Sequence, residues 1–268
     1  KTPTVDQSQY VTDGLEWANR FVESFVNWEG TFPAGANKTI PFSQDYLNEI
    51  ERRANDPGME KTWLGSDGTY RYAHSTDWFG HLFKSRALTT DHNLSVSGNS
   101  NNVTYSVSGR IQDQEGLIRL SPDDFQMLNL RASGSVDFTD WLNVSNNFDI
   151  SNRDYFNPQN CCDAQFAQLD IALEGFPLAP LYNPDGTLTY SGAYALGGYA
   201  EGHNGIGLER SIVRNKTEAE ASILDGRISL VGDFAFQRTY DLREQKRVPV
   251  SYSRTPGVVE LIGTSTNW

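Results

Sequence analysis

Residues 128–138 read Leu-Asn-Leu-Arg-Ala-Ser-Gly-Ser-Val-Asp-Phe. Leu128, Leu130, Ala132, Gly134, Val136 and Phe138 alternate with Asn129, Arg131, Ser133, Ser135 and Asp137. Successive side chains of a strand point to opposite faces, so this stretch is a strand with one apolar and one polar face. Ordinary strands average about 5–6 residues. A tilted strand needs ~9–11 to cross a bilayer, and this run is long enough. The same period continues on both sides. Upstream, Leu94, Val96 and Gly98 oppose Asn93, Ser95 and Ser97, and Val103, Tyr105, Val107, Gly109 and Ile111 oppose Thr104, Ser106, Ser108, Arg110 and Gln112. Downstream, Leu142, Val144, Phe148 and Ile150 oppose Asn143, Ser145, Asn147 and Asp149. A weaker run at 214–223 sets Ala219, Ala221 and Ile223 against Glu218, Glu220 and Ser222. A sixth sets Ile228, Leu230, Phe234, Phe236 and Tyr240 against Arg227, Ser229, Asp233, Gln237 and Thr239.

The connections alternate in length. Residues 99–102 (NSNN), 139–140 (TD) and 224–226 (LDG) are tight turns, whereas 113–124, 152–213 and 241 onward are long. Transmembrane barrels pair short turns on one side with long loops on the other, a rule that soluble sandwiches lack. The expected fold class is therefore all-β, a segment of a large transmembrane antiparallel β-barrel with long extracellular loops. Six strands fall short of the ~8 of the smallest membrane barrel. An open sheet would leave edge amides and carbonyls unpaired in lipid, so further strands are expected outside this segment.

Composition agrees. The 268 residues include no run of about 20 apolar residues, which excludes a transmembrane helix. The mean hydropathy of −0.52 does not exclude a barrel, since only alternate residues meet lipid. A net charge of −12 argues against nucleic acid, whose phosphates require a Lys/Arg surface. The chain begins at Lys1 without a basic, apolar and cleavable leader, which reads as a mature or cut fragment. Residues 1–88 are irregular and rich in Trp, with a helix expected at 43–54 (SQDYLNEIERRA) and a weaker one near 13–28, Ser43 serving as N-cap of the first.

Several short motifs belong together. Residues 75–83 (STDWFGHLF), 92–98 (HNLSVSG) and 104–118 (TYSVSGRIQDQEGLI) are followed by 128–131 (LNLR), 140–144 (DWLNV) and 180–186 (PLYNPDG). In this order they resemble the SusC/RagA family of TonB-dependent outer-membrane transporters across roughly residues 60–245. The chain departs from the family at Ser75, Arg110 and the Cys161–Cys162 pair. The resemblance implies a plugged barrel of about 22 strands, energised by TonB through a region absent from this segment. A SusD-like surface lipoprotein would serve as lid, and the substrate would be an oligosaccharide or a peptide. It also implies a layout: 1–88 as first extracellular loop region with short helices following the first barrel strand, 89–151 as four barrel strands, 152–213 as a large extracellular loop, 214–240 as two strands, and 241–268 as the start of the next loop. The alternative kept open is a soluble extracellular all-β glycan-binding module, and behind it a passive porin or secretion barrel.

No catalytic constellation is present, and no cofactor is called for. His74, His81, His92 and His203 lack metal-ligand spacing. Cys161 and Cys162 read as free thiols or as partners of cysteines absent from the segment, with loop packing as their role. Residues 202–207 (GHNGIG) lack the dinucleotide spacing, and 183–186 (NPDG) is first a turn and second a calcium site. Tyr182, Tyr190, Tyr194 and Tyr199, on the loop 176–207, are the substrate- or partner-facing candidates, because aromatic faces stack on sugars and hydroxyls bond to them. Packing of the loop on itself is the competing account. Arg110, Arg131, Asp137, Asp149, Arg227 and Asp233 are expected to face the lumen, in contact with water or a plug. The aromatic content of the two long loops argues against disorder and for an interface with the lid above the ~1,600 Å² of a standard complex.

Overall fold

The computed structural model describes residues 10–160, 167–202, 204–263 and 266–267. Its first element is α1 (Gly14–Glu29), where the Asp13 carboxylate accepts from the Glu16 amide at 2.8 Å and Gly30 closes the helix at φ 72°. An oxygen at the N-cap satisfies an amide that the helix leaves unbonded. The ribbon β1 (Gly35–Asn37) and β2 (Ile40–Pro41) leads into α2 (Gln44–Asn55), capped by Ser43 at 3.1 Å from the Tyr46 amide. Both helices expected in this region are present. A second ribbon, β3 (Thr62–Leu64) and β4 (Tyr70–Tyr72), precedes α3 (Trp78–Leu82), which Asp77 caps.

The long strands follow as β5 (Thr89–Ser100), β6 (Val103–Glu115), β7 (Asp124–Thr139) and β8 (Leu142–Pro158). Two helices, α4 (Ala167–Glu174) and α5 (Tyr190–Glu201), interrupt the series before β9 (Gly205–Ile223) and β10 (Ile228–Arg247). A hairpin of β11 (Val250–Thr255) and β12 (Val258–Ile262) comes next, and β13 (Thr266–Asn267) adds a short pairing to the end of β10. From β5 to β10 every neighbour in sequence is the antiparallel neighbour in space. The sheet is an open meander: β5 does not meet β10.

The register keeps the apolar and polar positions on separate faces across β5 to β7, while on β8 to β10 the apolar face is interrupted by Asn146, Asn215, Thr217 and Arg238. Val107 lies opposite Val96 and Ala132, and Leu130 opposite Gly109 and Ile150. Phe148 lies opposite Ala132 and Asn215, and Asn215 opposite Phe236. On the other face Arg131 lies opposite Ser108 and Asp149, and Asp149 opposite Arg214. Close fit shows at Gly98, where a Cβ would meet the Tyr105 hydroxyl at 2.7 Å and its ring at 2.8 Å; the missing side chain lets the tyrosine lie across the neighbouring strand. The apolar face is bare, with Leu94 at 73% and Phe234 at 70% exposure. A sandwich covers such a face with a second sheet about 10 Å away; among the described residues none is there. Nor is any described helix long and apolar enough to cross a membrane.

The strands run further than the alternation suggested. β8 continues to Pro158, β9 begins at Gly205 and β10 passes Tyr240 to reach Arg247. At their far ends the formerly apolar positions become Asp113, Gln126, Asp154 and Glu209, still paired in register. Pairing persists where the hydropathy contrast stops, so the connections shrink to 116–123 and 159–204. Arg227 was placed with the polar face of the sixth strand; it lies instead in the turn before β10. There Leu224, Asp225 and Gly226 all have positive φ (56°, 54° and 81°), which tightens the reversal and moves the strand start to Ile228.

Candidate functional site

Three connections that leave the same end of the sheet fold together into one cap. Its core joins Ile40, Tyr72 and Trp78 from the first, Leu178 and Leu196 from the second, and Val250 and Tyr252 from the third. Backbone bonds stitch the segments: the His74 amide donates to Leu178 O at 3.0 Å, Thr76 to Pro177 O at 3.0 Å, and Ser253 to Leu188 O at 3.0 Å. The short connection at 116–123 contributes Ile118 and Leu120 to the same core. Its backbone ties down the end of α3, where the Arg119 amide donates to Leu82 O at 2.7 Å. The cap therefore grows directly out of the strand ends.

The loop carrying the tyrosine candidates contains a helix that the sequence did not reveal. Thr189 caps α5 by accepting from the Gly192 amide at 2.9 Å, and Gly202 closes it at φ 68°. Interior glycines are costly in an exposed helix, but α5 is buried nearly throughout. At Gly197 a Cβ would come within 2.5 Å of Val250, so the glycine is what allows β11 to pack on the helix. On α5, the Tyr190 and Tyr194 rings lie tilted by 33° with centroids 4.5 Å apart, and Tyr252 meets Tyr190 edge-on at 5.5 Å. Tyr190 and Tyr199 are 7% and 6% exposed, so packing of the loop accounts for both. Tyr194 is half-buried, and Tyr182 stays open at 47%.

Among the Trp residues, Trp17, Trp63 and Trp78 pack in or against the core. Trp28, at the end of α1, is 87% exposed, with Phe25, Val26 and Phe32 also exposed around the same helix end. Sequence alone did not separate Trp28 from the others, because its exposure depends on which face of α1 meets Phe42 and Phe176.

The 183–186 turn is accounted for by protein contacts. Asp185 accepts from Tyr70 Oη at 2.9 Å and from the Thr187 hydroxyl at 2.6 Å, and Asn183 Oδ1 accepts from Tyr72 Oη at 2.7 Å. Burial pushes the Tyr46 phenol up to about 12 and the Asp170 carboxyl up to about 6. It lowers His74, which lies 2.8 Å from Thr62 Oγ1. His203, Cys161 and Cys162 lie outside the described residues. Among those described, no group of three metal-ligating side chains converges.

The polar face of the sheet collects most of the remaining candidates. Arg110 grips Asp91 with Nη2–Oδ2 at 2.5 Å. Arg131 and Arg214 reach Asp149 at 3.5 and 3.8 Å, while Asn143 donates to Asp137 at 2.6 Å and Lys216 lies 3.9 Å from Asp233. These side chains share one wall; Arg227, in its turn, does not join them.

The fold and its two unlike faces define a class: an open section of an antiparallel β-barrel. A solved structure of the RagAB peptide transporter shares this fold at 19% identity and TM-score 0.53, covering 78% of this chain and 25% of that one. A structure of the RagAB peptide importer in its closed-closed state matches at 19% and 0.52, covering 94% of this chain and 25% of that one. The chain thus spans about a quarter of the length of these neighbours. No protein-family model matches it, and no curated protein does.

Proposed function

We propose that the chain is part of the barrel subunit of a TonB-dependent importer in the bacterial outer membrane, which takes up oligosaccharides or peptides beneath a SusD-like lipoprotein lid. The observation that carries this reading is the bare apolar face, which on β6 and β7 spans the ~9–11 residues of a bilayer crossing and backs onto a wall of ion pairs. The apolar face then meets lipid, the polar face the lumen, and further strands close the sheet. Phe138 and Tyr240, exposed near opposite ends of the band, suit the aromatic girdles of such barrels. The SusC/RagA-like motifs and the fold of the RagAB neighbours support the same transporter class, and the latter favour peptides.

The cap is the natural seat for a lid, through Trp28 and Tyr182. Deleting the loop 176–207 would remove Leu178 and Leu196 from the core, so surface substitutions are the cleaner probe. Full-length protein should sediment with outer membranes, require detergent and co-purify with a lipoprotein. Trp28→Ala combined with Tyr182→Ala should weaken that co-purification while the barrel still assembles. Recovery in the soluble fraction without detergent would sink the proposal.

A further inference from the structure

The polar face carries a hollow of about 330 Å³ between the middle of the sheet and its cap end. Arg110, Arg131, Arg153 and Arg214 line it, with Asp149 as the carboxylate among them. Arg110 is balanced by its close contact with Asp91. The other guanidiniums have no carboxylate of their own, although Arg214 Nε donates to Gln237 Oε1 at 2.9 Å. Arg131 and Arg214 share Asp149 at 3.5 and 3.8 Å, well beyond the ~2.7–2.9 Å of a tight charge-assisted bond. Their side chains remain 71% and 54% exposed. Arg153 is exposed and has no hydrogen bond or ion pair among the described residues. Three guanidiniums thus stand against one carboxylate. The excess is local: toward the tight turns the same face carries Glu218, Glu220 and Asp233 around Lys216.

A second feature lies in the same hollow. Asn129 Oδ1 is buried without a hydrogen-bond partner, while its Nδ2 is directed at Met127 sulfur at 3.3 Å. An unpaired buried acceptor costs ~1–3 kcal/mol, which a turn of the Asn129 side chain toward an arriving N–H or O–H would relieve. Guanidinium forks match carboxylates in two-point contacts. We propose that this hollow binds the carboxylate of a transported solute, with Asn129 accepting from a hydroxyl or amide beside that carboxylate. A uronic acid and an acidic peptide both present this pair of groups. The inference rests on the import reading above and deepens it to anionic substrates.

The test uses full-length transporter and matched probes that differ only in charge: tetraglutamate against tetraglutamine, and tetragalacturonate against its methyl ester. The readout is the ratio of acid to neutral probe taken up by the same cells, which a general loss of folded protein does not move. Wild type should favour the acid member of one pair by roughly tenfold, and the pair that responds identifies the source of the carboxylate. Arg131→Gln with Arg214→Gln should bring the ratio close to one, while the double Lys variant keeps part of it. A wild-type ratio of one, or a ratio unchanged in the Gln variant, overturns the inference and leaves the arginines to a protein segment within the barrel. If neither probe of either pair enters cells, the import reading fails. Binding of the same pairs to purified protein in detergent then decides the hollow separately: equal binding of acid and neutral probes rejects it, and acid preference lost in the Gln variant upholds it.

Discussion

Tyr72 joins two connections that lie 111 residues apart in sequence, through its hydroxyl on Asn183 Oδ1. Asn183 is 4% exposed and spends its Nδ2 on Thr187, Leu188 O and Ser253 O. Tyr72→Phe would strand the amide oxygen in the core, so it should destabilise the cap by ~1–3 kcal/mol, read as faster hydrogen exchange of the 183–189 amides. A substitution without effect would mean that water reaches this turn. Asp170 makes a different prediction. Its folded value of about 6, set by burial, lies above the ~3.9 of an unfolded aspartate. The folded cap therefore binds that proton more tightly. The resulting stability is full below about pH 4 and is lost as the pH rises through about 6. Asp170→Asn keeps an acceptor for Asn160 Nδ2, which now donates at 2.9 Å. The variant should protect the α4 amides better than wild type at about pH 7 and equally at about pH 4.

At the scale of elements, the register of β7 decides, on the import reading, which residues meet lipid. Leu130 stands on the apolar face between Gly109 and Ile150, and Ser133 on the polar face between Ser106 and Asn147. A slip of one residue would exchange the faces. Leu130→Arg should cost ~2–4 kcal/mol in the bilayer and impair assembly, whereas Ser133→Arg should assemble normally. Heat-modifiable mobility of the folded barrel on gels distinguishes the two; equal damage would refute the assignment of faces. This element was legible in the sequence because alternation is a local property. Helix α5 was not, since YSGAYALGGYAE has three interior glycines and no polar stripe. Its stability comes from Val250 and Tyr252 packing on it, and those residues lie beyond two strands in sequence.

The whole molecule is polarised along the strands, with tight turns at one end and the cap at the other. Taken with the import reading, this places the cap outside the cell. A cysteine introduced at Pro184, exposed in the cap, should react with an impermeant maleimide on intact cells. One at Asn101, in the turn between β5 and β6, should react only after the outer membrane is opened. The reverse pattern would invert the topology.

By itself the sequence determined the alternating central parts of the six long strands, their faces and the tight turns that join them in pairs. Each of these follows from the period of two and from turn residues, which act over a few positions. It also carried the two helices of the first connection, with Ser43 legible as the cap of α2, while the cap that Asp13 gives α1 emerged from the structure. Only the tertiary structure decided that three connections share one core, that Tyr190 and Tyr199 are buried there while Trp28 and Tyr182 are left open, and that Arg131 and Arg214 share Asp149 in a hollow that Arg153 also lines. Those outcomes depend on which segments meet across intervals of tens to more than a hundred residues. Chain alternation cannot encode such meetings; burial of large side chains and the pairing register bring them about.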